Sequence, residues 1–154
     1  MPWSAVIEAP FGRLGVRTDS EHVREIRFLD RSEALRAPTS PVAVETVRQL
    51  EQYFLDADFR FSVPIELTGT PFQVRVWERI ARIPKGQTIT YTTLAEDIGS
   101  VARAVGGACG RNPVPVIVPC HRVVAVSGIG GFNGAADDSL LSLPIKRWLL
   151  AHEL

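Results

Sequence analysis

Residues 92–113 read TTLAEDIGSVARAVGGACGRNP, and the fold turns on how this stretch is punctuated. A short helix is expected over residues 92–98, a tight turn at Gly99 and Ser100, and a second helix over residues 101–110. Two short helices joined by a Gly-containing turn have the outline of a helix-turn-helix. Asn112, Pro113, Val114 and Pro115 end the second helix, because proline cannot continue it and restricts the residue before it. From Val116 to Val126 the chain is almost uninterruptedly apolar except at Pro119, Cys120, His121 and Arg122, so polar chemistry sits inside an apolar path.

The neighbouring segments follow the same logic. Upstream, Thr70, Pro71 and Gln73 have the spacing of a capping box with proline at the first helical position, and the helix they open should run to about residue 82 and bury Phe72, Val76 and Ile80. Pro84, Lys85 and Gly86 stop it. Downstream, a Gly-rich loop from Gly128 to Gly134 leads to a C-terminal helix with Ile145, Trp148, Leu149 and His152 on one face. Toward the N-terminus, apolar stretches around Val6, Val16 and Ile26 are separated by turn signals at residues 10–12 and 19–21, which predicts an antiparallel meander. Pro41 then opens a helix whose Ala43, Val47, Leu50 and Phe54 face that sheet, and residues 59–67 read as a strand or extended link before Thr68 and Gly69 break the pattern. The expected class is α+β: an antiparallel sheet with a covering helix in residues 1–69, and a mainly helical lobe with the helix-turn-helix in residues 70–154.

The 154 residues, 45% hydrophobic and 22% charged, suit one compact domain or two small lobes, and exclude a solenoid or a wholly disordered chain. No run approaches the roughly 18 apolar residues that span a bilayer, and the first residues show no signal-peptide pattern, so the expected address is cytoplasmic, with no membrane partner. Seventeen basic and seventeen acidic side chains cancel, yet residues 1–69 hold eight Arg against eleven acids and residues 70–154 nine Arg or Lys against six. A polyanionic partner would therefore meet the second half. Two cysteines, Cys109 and Cys120, are too few for a four-ligand zinc site, and no metal is expected.

Cys120 followed by His121, between Pro119 and Arg122, suggests a thiol whose proton can be taken up and whose anion can be stabilised. Neighbouring side chains on an extended strand point to opposite faces, so the pair can cooperate only if the chain bends there. Taken alone, a cysteine in a valine-rich stretch is better explained by packing than by nucleophilic chemistry. Arg103 is surrounded by Ala102, Ala104, Gly106 and Gly107, which fits close helix packing and also fits a helix stripped of bulk so that it can enter a narrow groove.

With these motifs in place the chain closely resembles the O6-alkylguanine-DNA alkyltransferases, which repair DNA by direct reversal. The resemblance runs from Thr70 to Glu153 and rests on residues 70–73, 83–86, Tyr91, Leu94, Ala95, residues 103–106, Asn112, Pro113 and residues 119–123. It implies that Cys120 accepts an alkyl group from O6 of guanine, and less well from O4 of thymine, once and irreversibly, with no cofactor. It further implies that His121 relays the thiol proton through a water to Glu153, and that Asn112 acts as a hinge positioning the cysteine loop. Arg103, with Ala102, Ala104 and Gly106, would enter the minor groove of double-stranded DNA and replace a flipped-out base, while Tyr91 would meet the phosphate of the rotated nucleotide. Pro115, Val123, Gly131 and Phe132 match positions of the base pocket. Phe132 stands where the family commonly has tyrosine, and the link over residues 133–143 is longer than usual. A monomer is expected in solution. Three rivals are a non-transferring damage sensor, a thiol hydrolase and a transcription factor; the first lacks the nucleophile present here, the second needs an oxyanion site that nothing between Pro113 and Val126 beyond Cys120 and His121 favours, and the third leaves the segment around Cys120 unexplained.

Overall fold

The computed structural model describes residues 2–130 and 143–154. The chain divides into two compact units, Met1–Thr68 and Gly69–Leu154.

In the first unit, β1 (Ala5–Ala9), β2 (Gly12–Thr18) and β3 (Val23–Leu29) form an antiparallel meander in that order. The register sets Ile7 opposite Leu14 and Leu14 opposite Phe28, and Ala5 opposite Val16 and Val16 opposite Ile26. Directly opposed residues share a face, so this face is wholly apolar and buried. It is covered by α1 (Pro41–Leu55), which Ser40 caps by accepting from the Ala43 amide and which buries Ala43, Val47, Leu50 and Tyr53. Full burial of each large apolar side chain contributes about 1.5–3 kcal/mol. Phe54 is half-buried, edge-on to Phe11. On the opposite face Trp3 lies flat over Gly15, where a Cβ would come within 2.7 Å of the indole; the Arg17 guanidinium stacks on the same ring at 4.1 Å. The extended segment after α1 is tied down by the buried Gln49, whose amide donates to Ser62 Oγ and whose oxygen accepts from the Ser62 amide.

In the second unit, α2 (Pro71–Ile80) begins with a complete capping box: Thr70 Oγ1 accepts from the Gln73 amide at 3.1 Å and Gln73 Oε1 accepts from the Thr70 amide at 3.0 Å. Val76 and Ile80 are buried as expected, but Phe72 is only half-buried and Trp77 takes the central place. The reason is chemical as well as geometric. The indole supplies more apolar area and its Nε1 donates at 2.8 Å to the Ala108 carbonyl near the end of the next helix pair, a carbonyl that also accepts from the Arg111 amide at 3.1 Å. That pair is α3 (Tyr91–Ile98) and α4 (Ala102–Cys109), joined where Gly99 takes a left-handed φ of 70°. Two short parallel strands, β4 (Ile89–Thr90) and β5 (Val123–Val124), bring the start of α3 beside the end of the segment that carries Cys120. The last helix, α5 (Leu143–His152), packs against that segment. Of its expected face Ile145 and Leu149 are buried, whereas Trp148 and His152 are half-exposed and stacked on each other; the further buried positions are Leu143 and Lys146. None of the described helices is long and apolar enough to cross a membrane.

Candidate active site

The site is built by the loop that leaves α4. Asn112, buried, ends the helical stretch and then uses every polar atom of its side chain. Its Oδ1 accepts from the Val114 amide at 3.0 Å, and its Nδ2 donates to the Val118 carbonyl at 2.8 Å and to Cys120 Sγ at 3.1 Å. The Val118 amide donates to the Val114 carbonyl, closing a tight turn around Val116. Val116 has φ of 75°, a left-handed conformation that costs a β-branched residue about 1–3 kcal/mol and persists only where surrounding packing imposes it. It is buried there together with Pro115.

Pro119 then opens a single turn of 3-10 helix, Cys120–Arg122. The Arg122 amide donates to the Pro119 carbonyl at 2.9 Å. This turn answers the steric question posed by adjacent residues: on a strand Cys120 and His121 would diverge, but on a turn both enter the interior, with 3% and 0% exposure. His121 Nε2 lies 2.9 Å from Glu153 Oε2, and Arg122 grips the same carboxylate with two bonds, Nε to Oε1 at 2.9 Å and Nη2 to Oε2 at 2.8 Å. A third guanidinium nitrogen donates to the Ile83 carbonyl. Arg122 therefore holds the Glu153 carboxylate. Glu153 itself, one residue beyond α5, is 2% exposed.

Charge and burial set the resting protonation states. Burial lowers the affinity of His121 for a proton; Glu153 opposes this, and Arg122 and Lys146 reinforce it. The imidazole is neutral, and because the carboxylate can only accept, Nε2 carries the hydrogen. That leaves Nδ1 as an acceptor, a buried nitrogen with no hydrogen-bond partner among the described residues. Burial raises the Cys120 pKa, while the Asn112 hydrogen bond and the Lys146 charge pull it back. Burial also raises the Cys109 pKa, so this second sulfur, at the end of α4, stays a thiol and packs as a small hydrophobe. Tyr91, half-buried, is pushed upward by burial and by both cysteines.

Cys120, Asn112, His121 and Glu153 are thus brought into one connected cluster, with Tyr91 beside it. Pro115 and Val123 are buried in the same loop. Gly131 and Phe132, and the link over residues 133–143 up to Ser142, lie outside the described residues. Arg103 stands elsewhere, exposed on the first turn of α4 between the half-exposed Ala102 and Ala104. A Cβ added to Gly106 or Gly107 would meet nothing within 4 Å. Internal packing therefore does not require these two glycines, each of which weakens the helix by roughly 0.5–1 kcal/mol relative to alanine. No cluster of three or more potential metal ligands occurs among the described residues. The residue that sequence reasoning missed is Lys146, wholly buried with Nζ donating to the Val123 carbonyl at 2.7 Å. Its only sequence signal was a basic residue next to Ile145 in an apolar helix.

Residues 71–154 match the family model described as 6-O-methylguanine DNA methyltransferase, DNA binding domain. The chain is 37% identical to the methylated-DNA–protein-cysteine methyltransferase of Methanosarcina acetivorans, over 97% of this chain and 96% of that protein. It belongs to the O6-methylguanine DNA methyltransferase family. Among bacterial members, the constitutive methylated-DNA–protein-cysteine methyltransferase of Bacillus subtilis is 33% identical, over 97% of this chain and 94% of that protein. The Mycobacterium tuberculosis OGT structure in complex with DNA superimposes with a TM-score of 0.80 at 37% identity, covering 96% of this chain and 90% of that one. The match to these relatives thus reaches the sheet-bearing unit as well, beyond the span from Thr70 to Glu153 on which the sequence resemblance rests.

Proposed function

We propose that this chain is a methylated-DNA–protein-cysteine methyltransferase that repairs DNA by direct reversal, moving a methyl group from O6 of guanine to Cys120. The observation that carries the assignment is the buried run of contacts from Asn112 through Cys120 to His121, Glu153 and Arg122. In that arrangement the thiol proton passes to Nδ1 of His121, through one intervening water, and the Glu153 carboxylate stabilises the imidazolium through Nε2. The thiolate attacks the alkyl carbon, the S–C bond forms as the C–O6 bond breaks, and the guanine leaves with the electron pair and takes up a proton. Among the described residues no group beside the thioether is able to remove it, and each molecule acts once. The same displacement serves O4 of thymine less well, and no cofactor enters it.

O6 of a stacked guanine is out of reach of a buried sulfur, so the base must be extruded. The α4 surface fits that task. Its glycines are unexplained from within and leave a low surface on which Arg103 is the long side chain, suited to the minor groove and to the gap left by the extruded base. Tyr91 meets the rotated nucleotide, Asn112 positions the cysteine loop, and Pro115 and Val123, with Gly131 and Phe132, line the base pocket. The protein acts as a monomer.

Incubation with duplex DNA bearing O6-methylguanine adds one methyl mass, once, to the peptide containing Cys120; repeated turnover or labelling of Cys109 would overturn the assignment. Arg103→Ala and Gly107→Leu each weaken binding to damaged and undamaged duplexes alike, by about tenfold or more for the arginine. Both fold as the parent does, since Arg103 and Gly107 are exposed. Unchanged affinity in a gel-shift or anisotropy titration would remove α4 from the DNA interface.

A further inference from the structure

We propose that Lys146 is a positioning residue of the transfer reaction, its buried ammonium supplying the fixed positive charge that favours the Cys120 thiolate. The inference rests on the methyltransferase reading of Cys120 and adds to it a charge that neither His121 nor Arg122 provides. Arg122 is spent on Glu153, which it holds in two bonds, so the pair is close to neutral as seen from the sulfur. Lys146 approaches from α5. Its Nζ is fastened to the Val123 carbonyl, and the Val123 amide in turn donates to the Cys120 carbonyl, so two hydrogen bonds join the ammonium to the backbone of the nucleophile.

The groups facing Lys146 come from every neighbouring element. They are Cys120 and His121 of the turn, Cys109 at the end of α4, and the Tyr91 ring on α3, whose centroid is 5.7 Å from Nζ. Burial pulls the lysine pKa down to about 8, and the two cysteines oppose that fall. The ammonium is thus mostly charged at neutral pH, and its support for the thiolate fades as pH rises past about 8. Burial, with the Arg122 and Lys146 charges adding to it, keeps His121 neutral and able to accept a proton. A residue needed only to fill space would be cheaper as methionine or leucine, since burying an ammonium is costly.

Two substitutions separate charge from structure. Lys146→Gln keeps a donor for the Val123 carbonyl and loses the charge; Lys146→Met loses both. The readout is the pH dependence of Cys120 alkylation by iodoacetamide without DNA, followed by peptide mapping to exclude Cys109. Both variants should shift the Cys120 profile upward by about one pH unit, an approximately tenfold slower reaction at neutral pH. If Lys146→Gln reacts like the parent and only Lys146→Met is slow, the lysine merely satisfies a carbonyl and the proposal falls. Labelling by iodoacetamide requires no nucleic acid, so a chain that failed to take methyl groups from DNA would count against the methyltransferase reading while leaving this test intact.

Discussion

Cys120→Ser abolishes methyl transfer and leaves DNA binding as in the parent. A serine hydroxyl in the same place still accepts from Asn112, but it is a far weaker nucleophile than a thiolate and far less acidic than a thiol, so it keeps its proton beside the neutral His121. Single-turnover transfer should fall by at least about 10⁴-fold, the scale on which removal of an activated nucleophile acts. Because Cys120 is 3% exposed and the substitution leaves the open surface of α4 unchanged, affinity for undamaged duplex should not move. Residual transfer within about tenfold of the parent would place the accepting atom elsewhere, and a parallel loss of DNA binding would mean that the substitution had disturbed the loop rather than the chemistry.

Glu153→Gln has the second large effect, on stability and rate together. The carboxylate is 2% exposed and takes three hydrogen bonds, from His121 and twice from Arg122. Without its charge the Arg122 guanidinium, 12% exposed, is left as a nearly buried cation, a loss on the order of 3 kcal/mol by comparison with other broken buried pairs. Glutamine also offers an amide hydrogen to His121 Nε2, which drives the imidazole toward the tautomer with Nδ1 protonated and removes the acceptor proposed to take the thiol proton. Transfer should slow by about 10²- to 10⁴-fold, as when a general base is held in the wrong tautomer. Urea unfolding and single-turnover kinetics read the two effects separately. A variant as stable as the parent and transferring at a comparable rate would show that the His121–Glu153 contact is incidental.

Much of the architecture was legible because it is written in local spacing. The meander appears as apolar alternation between turn signals, the capping box as Thr70 and Gln73, and the helix pair as short helical runs around Gly99. Each of these depends on residues three to seven positions apart, over which backbone geometry is set by the chain itself. The nucleophile was legible as well, since Pro119, Cys120, His121 and Arg122 are consecutive. What could not be read was depth. Phe72 and Trp77 both have helical spacing suited to a core, and only the carbonyl offered by Ala108, 31 residues on, decides that the indole goes inside.

Glu153 and Lys146 carry the same lesson. A penultimate glutamate reads as a frayed, solvated charge, and a lysine in an α5-like pattern reads as a surface residue. Glu153 is buried because His121 and Arg122, 32 and 31 residues earlier, close over it; Lys146 is buried because a two-residue strand 23 positions away presents an open carbonyl. From its residues alone this chain was bound to make a helix-turn-helix, a cysteine held on a bent segment and an amphipathic last helix, since propensity and periodicity act within a few residues. Which charges share the sulfur's enclosure was decided only by packing, because the energy of a buried charge is fixed by partners far off in sequence whose approach no local pattern encodes.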